Sequence, residues 1–284
     1  MQTMFGSTPQ SKKDKAARHF VDEGRIPWSS GYSEYKEQAL LATFGDARLM
    51  ERFRTGTALP AQFGERLDER IVEYPWVFSH LDTGDGLIFD AGSTFNKDFL
   101  LATPTLEKRK IIVYTLETDW IVLNSRVSYL FGDLRDILLR DETVSSIVCI
   151  STLEHVGFTY EYGTYSKRNP WPHSQPESFV GAIREFARIL KPGGQLLLTV
   201  PFGRYEDHGW LQQFDRRRID QVIEAFGGTV ADQTFYAYHP DGWQMASPES
   251  CDTVAYFNIH ETGGRFDADY AAAARAVACL HLRK

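Results

Sequence analysis

The chain is poor in the features that mark secreted, disulfide-stabilised and membrane-spanning proteins. Its 284 residues include three cysteines, Cys149, Cys251 and Cys279, which are too few and too scattered for a disulfide framework or a cysteine-based metal cluster. The longest apolar runs, such as residues 196–200, are far shorter than the roughly 20 residues that span a bilayer. The first twenty residues lack an apolar stretch followed by a small-residue cleavage site. We therefore expect a cytoplasmic protein with reduced thiols and no membrane span.

Positive charge is also scarce. There are 31 Lys and Arg residues against 38 Asp and Glu, which gives a formal net charge of −7. Because nucleic-acid phosphates are bound by clustered cations, this balance disfavours a nucleic-acid partner. Hydrophobic residues make up 43% and charged residues 24%, as in ordinary globular proteins. The composition predicts a soluble, folded protein. A small-molecule or glycan acceptor is expected, and a homo-oligomer is compatible with the sequence.

The N-terminal third reads differently from the rest of the chain. Residues 1–26 are polar and lysine-rich, and we expect them to be flexible. Residues 27–84 predict a helical extension with a first helix that begins at Ser33 as its N-cap and reaches Phe53. A second helix is predicted over Leu67–Leu81, interrupted by Pro75.

From residue 85 to residue 284 short apolar runs alternate with turns and helical segments, which is typical of a parallel sheet. Five strands are predicted, at Leu87–Ala91, Lys110–Leu116, Val127–Phe131, Ser146–Ser151 and Gln195–Pro201. Helices are predicted at Glu177–Leu190, ended by the Lys-Pro-Gly-Gly segment 191–194, and at Arg217–Phe226. Two extended stretches, Thr229–Tyr238 and Thr253–Ile259, are expected to close the sheet as an antiparallel hairpin. Residues 158–175 form an insertion in this domain.

Acidic side chains follow the first three predicted strands. Asp90 ends the first and precedes the small-residue turn 91–96, which would let backbone approach a ligand closely. Glu117 ends the second, where a carboxylate can accept both hydroxyls of a ribose, and Asp133 follows the third, where it can accept from an adenine amino group. The alternative for Glu117 is a surface acid at a helix N-terminus. Three acids in this order predict a nucleoside pocket.

Three stretches taken together resemble the class I S-adenosylmethionine-dependent methyltransferases. They are Gly-Asp-Leu-Arg-Asp at 132–136, Ser-Ile-Val-Cys-Ile-Ser-Thr-Leu-Glu-His-Val-Gly at 146–157 and Ala-Arg-Ile-Leu-Lys-Pro-Gly-Gly-Gln-Leu-Leu-Leu-Thr-Val-Pro at 187–201. Within that superfamily the chain is similar to the branch associated with bacterial polysaccharide and sugar biosynthesis. The similarity covers residues 87–227, about half of the chain.

This resemblance implies a Rossmann-like fold with a mostly parallel seven-stranded sheet, an antiparallel C-terminal hairpin strand and helices on both faces. It implies S-adenosyl-L-methionine as the cofactor. The roles it suggests place Asp90, Gly92, Ser93 and Thr94 at the methionine part of the cofactor and Glu117 at the ribose. Adenine is assigned to Asp133 and Leu134, and Ser151 at the end of the fourth strand joins the candidate cofactor contacts.

One position departs from the family pattern, because the usual second glycine of the first turn is Thr94. The cofactor turn is therefore expected to sit differently here. A dinucleotide enzyme would need still more glycine at this turn to seat a pyrophosphate, so the sequence argues against NAD. A dehydratase or epimerase acting on nucleotide sugars is disfavoured for the same reason and because no Tyr-x-x-x-Lys pair is found.

Two histidines are candidates for assisting deprotonation of the acceptor. His155 follows the fourth strand and His208 lies in the loop beyond the fifth, and a well-placed base contributes roughly 10²–10⁴-fold to a rate. The alternative for each is a structural imidazole. Glu154 and Asp207 add metal-donor types beside them, but no tight ligand spacing is present, and no metal is expected.

Aromatic residues are frequent where the acceptor should lie. Tyr160, Tyr162, Tyr165 and Trp171 are in the insertion, and Trp210 and Trp243 follow later. Aromatic faces pack against the apolar faces of sugar rings, which favours a sugar hydroxyl as the acceptor and hence an O-methyltransferase. A second hypothesis is a cofactor-binding but inactive subunit that regulates a partner, which the missing glycine leaves open.

Overall fold

The computed structural model describes residues 9–117, 120–158 and 175–284. Within these residues the chain forms eight α-helices, which are α1 (Pro9–Asp22), α2 (Tyr32–Gly45), α3 (Ala47–Thr55), α4 (Arg70–His80), α5 (Asp98–Leu101), α6 (Phe179–Ile189), α7 (Arg216–Phe226) and α8 (Pro248–Cys251). It forms ten strands, which are β1 (Ile88–Ala91), β2 (Ile111–Thr115), β3 (Val127–Phe131), β4 (Val144–Ile150), β5 (Leu190–Pro201), β6 (Glu206–Asp207), β7 (Gln212–Gln213), β8 (Thr229–His239), β9 (Gly242–Ala246) and β10 (Ala276–Arg283).

Eight of these strands make one sheet in the spatial order β3-β2-β1-β4-β5-β10-β8-β9, and β6 pairs with β7 in a separate small ribbon. Strands β1 to β5 are parallel to one another, whereas β10 is antiparallel to both β5 and β8. The predicted mostly parallel α/β sheet with an antiparallel C-terminal strand is confirmed. The predicted strand number is wrong, because β9 adds an eighth strand at the edge beyond β8.

The hairpin predicted at the C-terminal end is also wrong in its second strand. Residues 253–259 contain no strand, and the partner that follows β8 directly is β9. The position between β5 and β8 is taken by β10, which was not predicted. An extended, apolar segment becomes a strand only where a neighbour can accept its hydrogen bonds, and β10 occupies the place that residues 253–259 would have needed.

Both faces of the sheet are covered, as predicted. In β4, Val148 and Ile150 belong to one apolar core, which they share with α4, whereas Ile147 and Cys149 belong to a second core shared with α6 and α7. This alternation follows from the two-residue period of a strand. The central strands therefore read as continuous apolar runs, and their polar residues are left for the strand ends.

The N-terminal helices differ from expectation in three places. Residues 9–22 of the segment expected to be flexible form α1, because the side chain of Phe20 is fully buried against the rings of Tyr32 and Tyr35. The first residue of α2 follows Gly31 rather than Ser33, since α1 passes so close that a Cβ on Gly31 would lie 2.0 Å from a backbone oxygen. Helix α4 continues through Pro75.

Candidate active site at the carboxyl edge of the sheet

The strand order places the predicted cofactor residues at one edge. Parallel strands that are adjacent in space end at the same edge, and β3, β2, β1 and β4 are consecutive neighbours. Asp133, Glu117, Asp90 and Ser151 follow or end these four strands in that order. The chain reverses its direction of winding between β1 and β4, and in open α/β sheets ligands bind in the crevice at such a switch point.

Asp90 shapes the turn after β1. Its side chain is fully buried, and it accepts hydrogen bonds from the Thr94 amide at 3.0 Å, the Thr94 hydroxyl at 2.8 Å and the Phe95 amide at 2.8 Å. Burial raises the pKa of Asp90 to about 6, while these hydrogen bonds act in the opposite direction. The carboxylate is therefore occupied by its own turn, and it positions backbone atoms instead of reaching toward a ligand.

Gly92 and Ser93 carry the strain of that turn, with φ angles of +101° and +65°. A Cβ on Gly92 would lie 2.2 Å from the hydroxyl oxygen of Thr152, so the turns after β1 and β4 touch at this point. The glycine is thus required by a close approach within the protein, as well as by its backbone conformation.

Replacement of Gly92 by alanine is expected to destabilise the protein by about 2–4 kcal/mol, because it adds a clash to an unfavourable backbone conformation. Urea unfolding measures the effect. Adding Thr152→Ala should recover part of the loss by removing two of the three contacting atoms. A Gly92→Ala variant as stable as wild type would show that the turn is not held in this conformation.

The acids after β2 and β3 have different surroundings. Glu117 is exposed, and its backbone carbonyl accepts from the Thr115 hydroxyl at 2.8 Å. Asp133 is partly buried, and its two oxygens accept from the amide and the guanidinium of Arg135, with the shortest contact at 2.6 Å. Burial would raise the pKa of Asp133, but the hydrogen bonds from Arg135 outweigh it and lower that pKa. Leu134 is buried in the core on the α6 side.

Ser151 belongs to a buried polar network that the sequence did not reveal. Glu73, in the first turn of α4, accepts from the Ser151 hydroxyl at 2.6 Å and from the Thr199 hydroxyl at 2.7 Å. Its second oxygen accepts from Arg70, whose guanidinium also reaches the Ser151 carbonyl at 3.3 Å. These hydrogen bonds connect α4 to the ends of β4 and β5, and the Glu73 side chain is fully buried.

Two further carboxyl groups are buried beside this network. Glu69 precedes α4 and Glu154 follows β4, and each has one carboxyl oxygen that is buried without a hydrogen-bond partner among the described residues. Burial, with Asp68 and Glu73 nearby, raises the pKa of Glu69 to about 8. Burial also raises the pKa of Glu154 well above its ordinary value. Such unsatisfied groups are uncommon in folded proteins and are found at functional sites.

The two candidate histidines lie near the loop between β5 and α7. The Nδ1 of His155 is 2.9 Å from the backbone oxygen of Trp210, and desolvation lowers the pKa of His155 to about 4. The Nδ1 of His208 is 2.7 Å from a carboxylate oxygen of Glu261, and its ring is nearly buried beside Tyr256. Each imidazole therefore has a structural contact, and the proposed role as a base stays a prediction.

A cavity of about 520 Å³ adjoins the predicted cofactor turns. Helices α1, α2 and α4 form one wall, and residues 97–99 and Trp120 form the other. Two hydrogen bonds between Asn96 and Trp120, at 2.8 and 3.0 Å, join the segments after β1 and β2. The hydroxyl of Tyr74 donates to the Thr94 carbonyl at 2.8 Å and so connects α4 to the same turn. The cavity is therefore next to the cofactor turns, and some of the residues that line it directly follow the turn after β1 or contact that turn.

The aromatic residues expected around an acceptor divide into three groups. Tyr160, Tyr162, Tyr165 and Trp171 lie outside the described residues. Trp210 packs beside His155, as a residue near the site would. Trp243 is fully buried on the edge strand β9, where its indole donates to the Leu67 carbonyl at 2.9 Å, and its place near an acceptor stays a prediction.

Across residues 9–117, 120–158 and 175–284, no group of three or more His, Cys, Asp or Glu side chains is arranged to hold a metal ion. In the same ranges, no helix combines the length and the apolar character that crossing a bilayer requires.

Sequence reasoning missed Arg70, Glu73, Glu69 and Lys97. The signal was present in α4, where Glu73 interrupts the apolar run from Ile71 to Phe78. A charged residue on a helix that is apolar on all sides must be paired inside the protein. Its hydroxyl partners lie at the ends of β4 and β5, about 80 and 125 residues away in the chain, so the sequence does not indicate which residues pair with it.

Comparisons with known proteins give only distant similarities. No family model and no curated protein matches the chain. Among solved structures, the 4+2 cyclase SpnF is 16% identical with a TM-score of 0.48, covering 88% of this chain and 96% of its own. The 1,6-didemethyltoxoflavin-N1-methyltransferase of Burkholderia thailandensis, solved with S-adenosylhomocysteine, is 12% identical with a TM-score of 0.45, covering 91% and 93%. An S-adenosylmethionine-dependent methyltransferase from Mesorhizobium loti is 11% identical with a TM-score of 0.46, covering 75% and 97%. With identities of 16% or less and TM-scores below 0.5, these structures do not indicate what this chain does.

Proposed function

We propose that this protein is an S-adenosylmethionine-dependent methyltransferase that methylates a hydroxyl of a sugar or glycan precursor. The observation that carries the proposal is the gathering of Asp90, Glu117 and Asp133 at one sheet edge, across the switch point between β1 and β4. In the same proposal, residues 85–284 are the catalytic domain and residues 27–84 cover its carboxyl edge.

The residues at this edge fit the cofactor in three respects. Glu117 presents an exposed carboxylate suited to ribose hydroxyls, and Gly92 brings backbone close to the switch point. Leu134 supplies an apolar neighbour for a purine. Asp133 fits less simply, because its oxygens already accept four contacts from Arg135, about as many as a carboxylate takes. An adenine amino group would have to replace one of them.

When bound, S-adenosylmethionine supplies a methyl group on a positively charged sulfur. The protein contributes mainly by orienting the acceptor oxygen and excluding water, which can supply a large part of the rate of such a displacement. Helices α1, α2 and α4 cover the edge from solvent. His155 and His208 are the proposed proton acceptors, and Ser151 joins the site through the Arg70–Glu73 network.

Calorimetry with S-adenosylmethionine and S-adenosylhomocysteine, with NAD as a control ligand, tests the proposal. Glu117→Ala should weaken binding of both methionine ligands by roughly tenfold or more, because one charge-assisted contact is lost. Asp133→Ala should weaken it less, since Arg135 already occupies that carboxylate. Glu107→Ala removes an exposed acid that precedes β2, at the opposite edge from Glu117, and should leave binding unchanged. Absence of binding, or preference for NAD, would overturn the proposal.

The second candidate is a cofactor-binding subunit without turnover. The turn that lacks a second glycine is the feature that favours it, because Thr94 is buried where the family has glycine. Binding of S-adenosylmethionine without methylation of any acceptor in a broad sugar panel would support this candidate over the enzyme.

A further inference from the structure

Two charged residues that line the cavity beside the cofactor turns form no ion pair with a described residue. Lys97, directly after the turn that Asp90 organises, forms no ion pair with a described residue, and its ammonium lies 5.2 Å from the ring centre of Trp120. Glu69, on the opposite wall, is 8% exposed and has a buried carboxyl oxygen that accepts no hydrogen bond from any residue the structure describes. Buried polar groups are normally satisfied, so the Glu69 oxygen indicates a missing ligand, and the half-buried Lys97 lines the same cavity.

The other cations of the cavity are already paired. Lys13 contacts Glu37 at 2.6 Å, Lys36 pairs with the buried Asp68, and Arg70 pairs with Glu73. Lys97 is therefore the cavity's cation without an acid among the described residues. Burial, followed by the nearby charges of Lys36 and Arg70, lowers the pKa of Lys97. A bound anion would offset both effects, because it interacts favourably with all three cations.

Aromatic side chains supply a further part of the cavity surface. Trp28, Tyr74, Phe99 and Trp120 all line it. Broad aromatic faces beside a charged group suit a ligand with a ring that has apolar faces and one anionic substituent. A sugar that carries a phosphate or a carboxylate has this combination.

We propose that this cavity is the acceptor site and that it selects anionic sugars, whose phosphate or carboxylate binds Lys97. The inference rests on the proposed function, which it deepens by naming the acceptor class. The site assigns Lys97 to specificity: it holds the charged substituent, and because Lys97 directly follows the turn 91–96, the ring is held close to the proposed cofactor site.

Ligand-observed NMR titrations of the full-length protein, saturated with S-adenosylhomocysteine, test the proposal with three sugars. Glucose 6-phosphate, glucuronate and glucose share one ring and differ in the group at its sixth carbon. At least one anionic sugar should bind tenfold or more tightly than glucose, and which one it is distinguishes phosphate from carboxylate. Lys97→Met, which keeps the apolar stem, should weaken binding of that anionic sugar roughly tenfold, as expected for the loss of a charge-assisted contact. Lys97→Arg should restore part of it.

Two controls separate this inference from the proposed function. Lys108→Met makes the same charge change at an exposed lysine outside the cavity and should leave sugar binding within twofold. Binding of S-adenosylhomocysteine to Lys97→Met should also stay within twofold of wild type, whereas Glu117→Ala weakens it. Equal affinity for all three sugars, or an unaffected Lys97→Met variant, overturns the anionic acceptor. Loss of cofactor binding in Lys97→Met as large as in Glu117→Ala overturns it too, because the cavity would then belong to the cofactor.

If wild type binds no S-adenosylhomocysteine, the proposed function fails. Sugar titrations without S-adenosylhomocysteine still show whether Lys97 selects anionic sugars.

Discussion

Replacement of Arg70 by methionine is expected to lower the free energy of unfolding by about 3–5 kcal/mol, because it leaves Glu73 as an uncompensated buried charge. Glu73 is fully buried, and Arg70 is the one cation that contacts it among the described residues. The hydroxyls of Ser151 and Thr199 would remain as partners, but hydroxyls do not neutralise a carboxylate. Urea unfolding followed by circular dichroism measures the change.

A matched pair on the surface provides the control. Glu51 and Arg54 have the same spacing of three residues on α3, yet both are more than half exposed. Arg54→Met should therefore lower the free energy of unfolding far less than Arg70→Met does, because solvent screens an exposed pair. The double variant Arg70→Met with Glu73→Leu should regain part of the lost stability, since removing both charges leaves only the two hydroxyls unpaired. Equal losses for Arg70→Met and Arg54→Met would contradict the assignment of a buried ion pair.

Replacement of Glu69 by glutamine is expected to stabilise the protein, and by more at higher pH. The folded-state pKa of about 8 lies above the ordinary value of 4.5, so the folded protein holds a proton that the unfolded chain releases. Stability is therefore lost as pH rises between these two values. From about pH 6.5 to about pH 8.5 the loss amounts to roughly 2 kcal/mol, which glutamine should abolish.

Between about pH 6.5 and about pH 8.5, the effect of Glu69 on stability is separated from those of Asp90, His155 and His281, whose pKa values are lower. Burial raises the pKa of Asp90 only to about 6, and the lowered pKa values of His155 and His281, about 4 each, affect stability below about pH 6.5. Thermal unfolding of Glu69→Gln and wild type at both pH values gives the comparison. Glu107→Gln makes the same change at an exposed acid and should show no such trend. A stabilisation that is absent, or equal at both pH values, would refute the raised pKa.

A gain in stability at Glu69 would itself be informative about function. Binding and catalytic sites hold groups that would be replaced if stability alone were selected, and stabilising changes at such sites cost activity. Glu69→Gln should therefore be compared with wild type in the sugar titrations as well as in unfolding. A stabilised variant with weaker sugar binding would agree with a place for Glu69 in the acceptor cavity.

The sequence by itself determined the elements whose signal is local. Runs such as Ile147–Ile150 predict strands because both faces of each central strand are buried, and the helix from Phe179 to Ile189 shows its apolar stripe within eleven residues. The order of strands and helices then placed Asp90, Glu117 and Asp133 at strand ends. Adjacent parallel strands end at one edge, so the gathering of these acids followed from topology without any contact being known.

Only the tertiary structure decided which distant segments meet. The strand position that was predicted for residues 253–259 belongs to β10, because β10 forms hydrogen bonds with both β5 and β8 there. Phe20 orders α1 through rings that belong to α2. Glu73 finds its partners on β4 and β5, and Lys97 is notable because the other cations of its cavity are paired. Periodicity reports which face of an element is buried, whereas pairing between segments far apart in the chain depends on packing that no local pattern contains.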